Sequence, residues 1–151
     1  MTSELDFPGE KEQIQKVVQN SVSWALQKDK ELLLASVAQD PCFFIFNPDN
    51  RSTIVGFKAF RDLVENVYMH PAYRATGFEI NDMRINLSKS GEAAWFSARL
   101  NDRGEWNGQP TSWENVRWTG VLEKRNGKWL IVQMHFSFAS DTDYEETSEG
   151  E

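Results

Sequence analysis

The spacing of apolar residues changes near residue 75, and this change divides the chain into a helical part and a sheet-forming part. Before that point apolar side chains recur every three or four positions, which is typical of amphipathic helices. Pro8 suits a helix start, Asp29 suits an N-cap, and Pro71 ends the last helical stretch. The pattern predicts helices at 14–26, 31–37 and 57–68, a strand at 42–46 and a short strand at 52–55.

After residue 75 apolar and polar residues alternate, which is the period of a half-buried strand. Four alternating runs are separated by segments rich in Gly, Asn, Ser and Pro, and such segments form turns and loops. Helices followed by an antiparallel meander favour an α+β architecture in which the helices lie on one side of a curved sheet. The predicted strands are 78–87, 92–101, 112–124 and 128–138, with a long loop at 102–110.

The last two strands flank Asn126-Gly127, a strong hairpin pattern. We prefer a three-residue loop with a bulge, which pairs Lys124 with Lys128, because a two-residue loop would match each apolar face to a mixed one. One face would then carry Val116, Trp118, Gly120, Leu122, Leu130, Val132, Met134, Phe136 and Phe138, and the other would carry Arg117, Thr119, Val121, Trp129, Ile131, Gln133, His135 and Ser137.

Composition and charge place the chain among globular proteins. The net charge of −7 is concentrated in the acidic end, so we predict a single domain over residues 1–140 and a disordered acidic tail over 141–151. A protein with no basic face is not expected to bind nucleic acid. No apolar run is long enough to span a bilayer and no signal peptide is apparent, so we expect no membrane association. The single cysteine, Cys42, suits a reducing compartment, and we expect a cytoplasmic protein.

The order of elements and three short motifs resemble a known family. Arg117-x-Thr119, Gly127-Lys128-Trp129 and His135-x-Ser137 look like the terminal hairpin of the SnoaL-like branch of the nuclear transport factor 2-like superfamily. Over residues 12–139 the chain is also similar to the association (hub) domain of calcium/calmodulin-dependent kinase II. The resemblance implies a cone-shaped sheet wrapped around three helices, a pocket open at one end, and a homodimer formed through the outer sheet face.

Two activities of this superfamily require acids at positions where this sequence has amides. The general-base aspartate of ketosteroid isomerase falls on Asn47, and the first helix offers no tyrosine as oxyanion donor. In limonene epoxide hydrolase an acid follows the strand arginine by two residues, whereas Arg99 is followed there by Asn101. Since an amide cannot accept a proton as a carboxylate does, neither activity transfers directly. Asp82, Asp102 and Glu114 remain as acids that could reach the rim of the pocket, without a specific spacing.

Arg99 is the predicted anchor of the pocket, because a pocket arginine of the kinase hub falls on it. Strand alternation would then turn Trp95 and Ser97 inward as well. A buried guanidinium needs an internal acid or an anionic ligand, so Arg99 predicts a carboxylate partner. Trp106 and Trp113, in the predicted loop region, could cover the pocket mouth. The predicted ligand-binding residues are Trp24, Tyr68, Trp95, Ser97, Arg99, Trp118 and Phe136.

The opposite sheet face is the predicted dimer interface. His135 shares the face of Arg117 and Thr119, which favours a hydrogen-bonded interface residue over a catalytic one. Two histidines without ligand spacing predict no metal site, and no cofactor is expected. Apolar residues assigned to the outer face, Ala94, Phe96, Ala98, Val121 and Ile131, would be buried by the partner. The predicted interface residues are Arg117, Thr119, Gln133, His135 and Ser137.

These features favour a homodimeric domain that binds a small apolar or carboxylate-bearing molecule in an aromatic pocket without an evident general base. The first alternative is an isomerase, cyclase or hydrolase of the ketosteroid isomerase-like type, which needs an acid near the pocket. The second alternative is an oligomerisation module whose cone is filled by its own side chains.

Overall fold

In a computed structural model, the structure is described for residues 8–49 and 52–141. The first helix continues into a 3₁₀ turn at Trp24–Leu26, and the third continues into a π turn at Val64–Tyr68. The helices are α1 (Glu10–Ser23), α2 (Lys30–Leu34) and α3 (Phe57–Leu63). The strands are β1 (Phe44–Phe46), β2 (Ile54–Val55), β3 (Tyr73–Leu87), β4 (Ala93–Trp106), β5 (Gln109–Pro110), β6 (Trp113–Arg125) and β7 (Lys128–Ser137).

The strands form one strongly curled sheet in the order β2-β1-β7-β6-β4-β3, with β5 paired to β4. All pairs are antiparallel except β1 with β7, which run parallel. The sheet is therefore mixed, although the meander from β3 to β7 is antiparallel as predicted. Three helices on a curled sheet confirm the predicted α+β cone.

The core lies between the helices and the inner face of the sheet. Ile14, Val18 and Val22 form the buried stripe of α1, at the spacing that the sequence predicts. They face a sheet layer that includes the fully buried Trp118 and Leu122. Burying one such side chain contributes roughly 1.5–3 kcal/mol before the entropy of ordering is subtracted.

Two ends of the helical layer are fixed by polar contacts. The Asp29 side chain accepts a hydrogen bond from the Leu32 amide at 3.2 Å, which confirms the predicted N-cap of α2. At the start of α1 the Glu10 carboxylate accepts hydrogen bonds from Lys124 and Trp129 on the last hairpin. The contact with Lys124 keeps the pKa of Glu10 below its usual value. The contacts of Glu10 hold the start of α1 against the last hairpin of the sheet.

The last hairpin differs from the predicted register. Asn126 and Gly127 both have positive φ angles and form a two-residue turn that pairs Arg125 with Lys128, so the predicted three-residue loop is wrong. The pairing of β6 with β7 then shifts by one residue, which leaves Val132 without a partner.

This shift divides the predicted faces of β7 into a correct part and an incorrect part. Beyond the shift Thr119 pairs with His135 instead of Gln133, the partner that the predicted register implies, but both residues lie on the outer face as predicted. Between the shift and the turn the faces are reversed, so that Trp129 and Ile131 are buried instead of Leu130 and Val132.

The segment 102–110 is strand and tight turn rather than the predicted loop. β3 and β4 extend to the pair Tyr73–Trp106, and Asn107-Gly108, both with positive φ, turns the chain into β5. This extension brings Asp102 and Trp106 into the ordered sheet, at the edge of the helical layer. In residues 8–49 and 52–141 no helix is long and apolar enough to cross a bilayer.

Candidate functional site

A cavity of about 310 Å³ lies between the helical layer and the inner face of the sheet. Its aliphatic lining comes from every helix and from the ends of several strands. Its polar lining consists of Ser21, Asn47, Asp102 and Thr111, together with the tyrosine hydroxyls. Its aromatic lining consists of Trp24, Phe60, Tyr68, Tyr73, Trp106, Trp113 and Phe136.

Edge-to-face contacts hold the aromatic rings on the helical side. The ring of Tyr68, in the π turn, lies 6.4 Å from Trp24 and 5.4 Å from Tyr73, measured between centroids. On the sheet side Phe136 lies 5.3 Å from Trp113 and stacks on Trp118 at 5.5 Å. Rings fixed by such contacts give the cavity a preformed apolar wall.

Asp102 is the one charged side chain among the described residues that line this cavity. Burial raises the pKa of its carboxyl from an ordinary 3.8 to about 6. In the described part of the chain its carboxylate has no hydrogen-bond or ion-pair partner. Asp102 is therefore a carboxylate that remains mostly ionised near neutral pH but whose basicity exceeds that of an exposed aspartate.

Strand alternation on β4 turns Asp102 into the cavity. Leu100 is buried on the same face, whereas Asn101 lies on the other. The Asn101 side chain accepts a hydrogen bond from the Asn115 amide at 2.6 Å and donates one to Glu79 at 2.8 Å. These bonds fix β4 between its neighbours at the residue before Asp102, where the pairing of β4 with β6 changes register.

Two tyrosines face the same region. Burial, followed by the negative charge of Asp102, raises the pKa values of both Tyr68 and Tyr73, so their hydroxyls stay protonated and can donate hydrogen bonds. Gly104 leaves room for Tyr73, because a Cβ at that position would lie 3.2 Å from the phenol oxygen and 3.1 Å from the carbonyl oxygen of Arg74.

Trp106 connects the cavity to a cluster at the end of the third helix. Its ring stacks on His70 at 4.8 Å, and His70 Nδ1 accepts a hydrogen bond from the Ala72 amide at 2.9 Å. Lys28 donates to the His70 carbonyl at 2.7 Å. Both Trp106 and Trp113 line the cavity, at the positions that the sequence suggests for its cover.

The structure separates the predicted ligand-binding residues into two groups. Trp24, Tyr68 and Phe136 line the cavity. Trp118 does not line it, because this side chain is fully buried behind Phe136.

The inward orientation predicted for Trp95, Ser97 and Arg99 is wrong. The inner positions of β4 are the small or apolar ones, which leaves these three on the outer face. Trp95 is 47% exposed, and Arg99 Nε lies 3.7 Å from an oxygen of the exposed Asp82. The anchor expected for a ligand carboxylate is thus outside the cavity.

The residues predicted for a dimer interface do share the outer face. Arg117, Thr119, Gln133 and His135 are exposed, and Ser137 is half-buried. The apolar residues assigned to that face were mostly misplaced, since Ala94, Phe96, Ala98 and Ile131 are buried in the core. Burial of this face in a dimer stays a prediction.

Of the three acids that the sequence suggests for the rim of the pocket, Asp102 lines the cavity, and the alternation of β4 distinguishes it from the other two. Every second residue of β4 is apolar from Ala94 to Leu100, and Asp102 is the next residue in this series. An acid at the end of a buried apolar series is the pattern that could have identified it.

The comparison with known proteins agrees with this fold. Residues 14–141 match the SnoaL-like domain model, and the chain belongs to the SnoaL-like family. This confirms the resemblance seen in the terminal hairpin. No curated protein matches the sequence.

Three solved structures illustrate the fold. A hexachlorocyclohexane dehydrochlorinase of type 2 is similar with a TM-score of 0.70 and 17% identity, covering 93% of this chain and 100% of that one. A candidate calcium/calmodulin-dependent kinase II association domain from Exiguobacterium sibiricum has a TM-score of 0.69 and 13% identity, covering 89% and 98%. A nuclear transport factor 2-like protein of unknown function from Prochlorococcus marinus has a TM-score of 0.66 and 17% identity, covering 91% and 98%. At these identities the likeness concerns the fold.

Proposed function

We propose that the protein is an enzyme that binds a small, largely apolar molecule in the cavity and uses Asp102 to accept a proton from it. The observation that carries the proposal is one carboxylate, without a partner in the described part of the chain, inside an aromatic cavity. Desolvation raises its pKa to about 6, which makes it a stronger base than an exposed aspartate while leaving it ionised at neutral pH.

The proposed step is removal of a proton from carbon. The proton passes to a carboxylate oxygen of Asp102, and the electron pair of the C–H bond either moves toward a carbonyl oxygen of the substrate or expels a leaving group. The protonated hydroxyls of Tyr68 and Tyr73 are donors that could hold the oxygen or leaving group where negative charge develops. A fold neighbour that is a dehydrochlorinase is compatible with an elimination of this kind.

The test uses a substrate that reports a base in an apolar pocket without knowledge of the natural one. 5-Nitrobenzisoxazole loses the C–H proton of its isoxazole ring to a base while the N–O bond breaks, which gives a coloured nitrile-bearing phenolate. We expect the protein to accelerate this reaction with a rate that rises with pH around about 6 and then levels off. Asp102→Asn should lower the rate by roughly 100-fold or more.

Asp82→Asn is the matched control, because it removes the same charge from an exposed side chain that contacts Arg99 outside the cavity. It should leave the rate unchanged. A rate that survives Asp102→Asn would refute the proposal, as would a wild-type rate equal to that of acetate at the same concentration.

A second candidate function is ligand binding without catalysis. It is favoured by Asn47, which lines the cavity where the ketosteroid isomerase resemblance would place a base, and whose side-chain amide donates to the Ser52 carbonyl at 2.9 Å. This function predicts saturable binding, visible as a change in tryptophan fluorescence, together with no acceleration of the nitrobenzisoxazole reaction.

We further propose that the protein forms a two-fold homodimer through its outer sheet face. One cross-strand row on this face, which we call the outer row, consists of Val55, Phe44, Gln133, Val121 and Trp95 in register. Val55 is 66% exposed and Trp95 is 47% exposed, so a largely apolar row crosses the open side of the sheet. Apolar patches of this kind are commonly buried between subunits.

A further inference from the structure

We infer that the cavity binds small organic ammonium ions, with the cationic nitrogen paired to Asp102 and the carbon frame packed against the surrounding aromatic rings. The inference uses the same cavity and the same carboxylate as the proposed function, but it concerns a ligand class rather than a reaction. Such amines would bind to the Asp102 carboxylate and would not react with it, because they give it no carbon-bound proton.

The first support is the missing counter-charge. Among the described residues lining the cavity none is Lys, Arg or His, and the carboxylate of Asp102 has no ion pair in that part of the chain. A carboxylate removed from water without a partner raises the free energy of the folded protein. A cationic ligand removes that cost on binding, a neutral ligand leaves it, and an anionic ligand increases it.

The second support is the chemistry of the walls. Tyr68, Tyr73, Trp24 and Trp113 line the same cavity as Asp102, and aromatic rings attract cations electrostatically when water is excluded. A cavity lined by an acid and by aromatic rings therefore offers an ion pair and cation–π contacts. Both interactions favour an ammonium group over an alcohol of equal size.

The third support is the size of the cavity. Since a water molecule occupies about 30 Å³ in the liquid, the cavity of about 310 Å³ holds about ten groups of that size. One aromatic ring with a short amine-bearing side chain fits this volume.

The test compares three ligands of nearly equal shape: 2-phenylethylammonium, 2-phenylethanol and phenylacetate. Calorimetry or ligand-observed NMR on the full chain should show the ammonium ion binding roughly tenfold more tightly than the alcohol. Phenylacetate should bind most weakly of the three. Equal affinities for all three ligands would overturn the inference, as would tighter binding of the carboxylate.

Variants locate the selectivity. Asp102→Asn should remove the advantage of the ammonium ion while retaining the binding of 2-phenylethanol, which also shows that the variant is folded. Asp82→Asn should keep the wild-type order, because Asp82 lies on the outer side beside Arg99. An ammonium preference that persists in Asp102→Asn would overturn the assignment.

The outcome is separable from the proposed function. Catalysis that depends on Asp102, without charge selectivity among the three ligands, would leave the proposed enzyme in place and reject the ammonium site. Ammonium selectivity that depends on Asp102, without proton abstraction, would do the reverse. If both hold, 2-phenylethylammonium should inhibit the nitrobenzisoxazole reaction competitively.

Discussion

Arg99 and Asp102 lie three residues apart on β4 and face opposite sides of the sheet. Arg99 is on the outer face, half-exposed, with its Nε 3.7 Å from the exposed Asp82. Asp102 faces an aromatic cavity and has no ion-pair partner in the described chain. Solvent screens the first charge and desolvation penalises the second. This difference is the reason why Asp102, which has no ion-pair partner, is the candidate for chemistry rather than Arg99, which is paired with Asp82.

The largest expected effect tests whether the two faces differ in packing as well as in charge. Gly120 is buried on the inner face of β6, where an added Cβ would lie 2.5 Å from the Phe96 ring and 2.7 Å from the Gln133 carbonyl oxygen. Gly120→Ala should therefore destabilise the fold by roughly 3 kcal/mol. Urea denaturation at fixed protein concentration measures this. The exposed Asn86→Ala on β3 is the control and should change stability by less than about 0.5 kcal/mol. Equal effects would mean that the inner face is not close-packed at Gly120.

The second prediction concerns the stability cost of the cavity carboxylate. The pKa of Asp102 is raised from 3.8 to about 6, so the folded protein binds this proton more tightly than the unfolded chain does. The cost of ionisation is thus absent below about pH 3.8 and complete above about pH 6. Asp102→Asn should stabilise the protein by up to roughly 3 kcal/mol at pH 8, at about 1.4 kcal/mol per tenfold change in proton affinity.

The pH dependence provides the check on this prediction. At pH 3.5 wild type and Asp102→Asn should have nearly equal free energies of unfolding, because both side chains are then neutral. A variant that is less stable than wild type at pH 8 would mean that the Asp102 carboxylate has a compensating partner.

The third prediction tests the outer face as an interface. His135 lies on that face, with its ring 5.3 Å from that of the exposed Phe46. His135→Glu adds a negative charge there and should raise the dimer dissociation constant by about tenfold or more. Sedimentation equilibrium measures it, and His70→Glu, on the stacked contact with Trp106, is the matched control. A monomeric wild-type protein at micromolar concentration would reject the proposed dimer.

The sequence predicted the elements well because long periodic runs depend on local physics. The N-cap at Asp29 and the buried stripe of α1 follow directly from residue type and spacing. The register of the last hairpin does not, because the bulge at Val132 depends on packing across the whole sheet. Consequently Trp129 and Ile131, which the predicted register places on the outer face, are buried in the core.

The site was predicted less well for a related reason. Trp24, Tyr68 and Phe136 line the cavity, and that they bind a ligand stays a prediction. On β4 alternation allows two opposite assignments, and the hub resemblance selected the one containing Arg99. The apolar series ending at Leu100 selects the other, which turns Asp102 inward. Local apolar content was the better guide here than a resemblance to a distant pocket.

The smallest predicted effect follows from that correction. A buried Arg99 paired with an internal acid would cost roughly 3–5 kcal/mol on truncation, because the partner's charge would remain without compensation. Its contact with Asp82 is instead long and exposed on both sides. Such surface pairs contribute from zero to about 1 kcal/mol. Arg99→Ala should therefore change the free energy of unfolding by less than about 1 kcal/mol, measured in urea with and without high salt. It should also leave the nitrobenzisoxazole rate unchanged. A loss of several kcal/mol would show that Arg99 has a buried partner and that the two faces of β4 are less different than their exposure indicates.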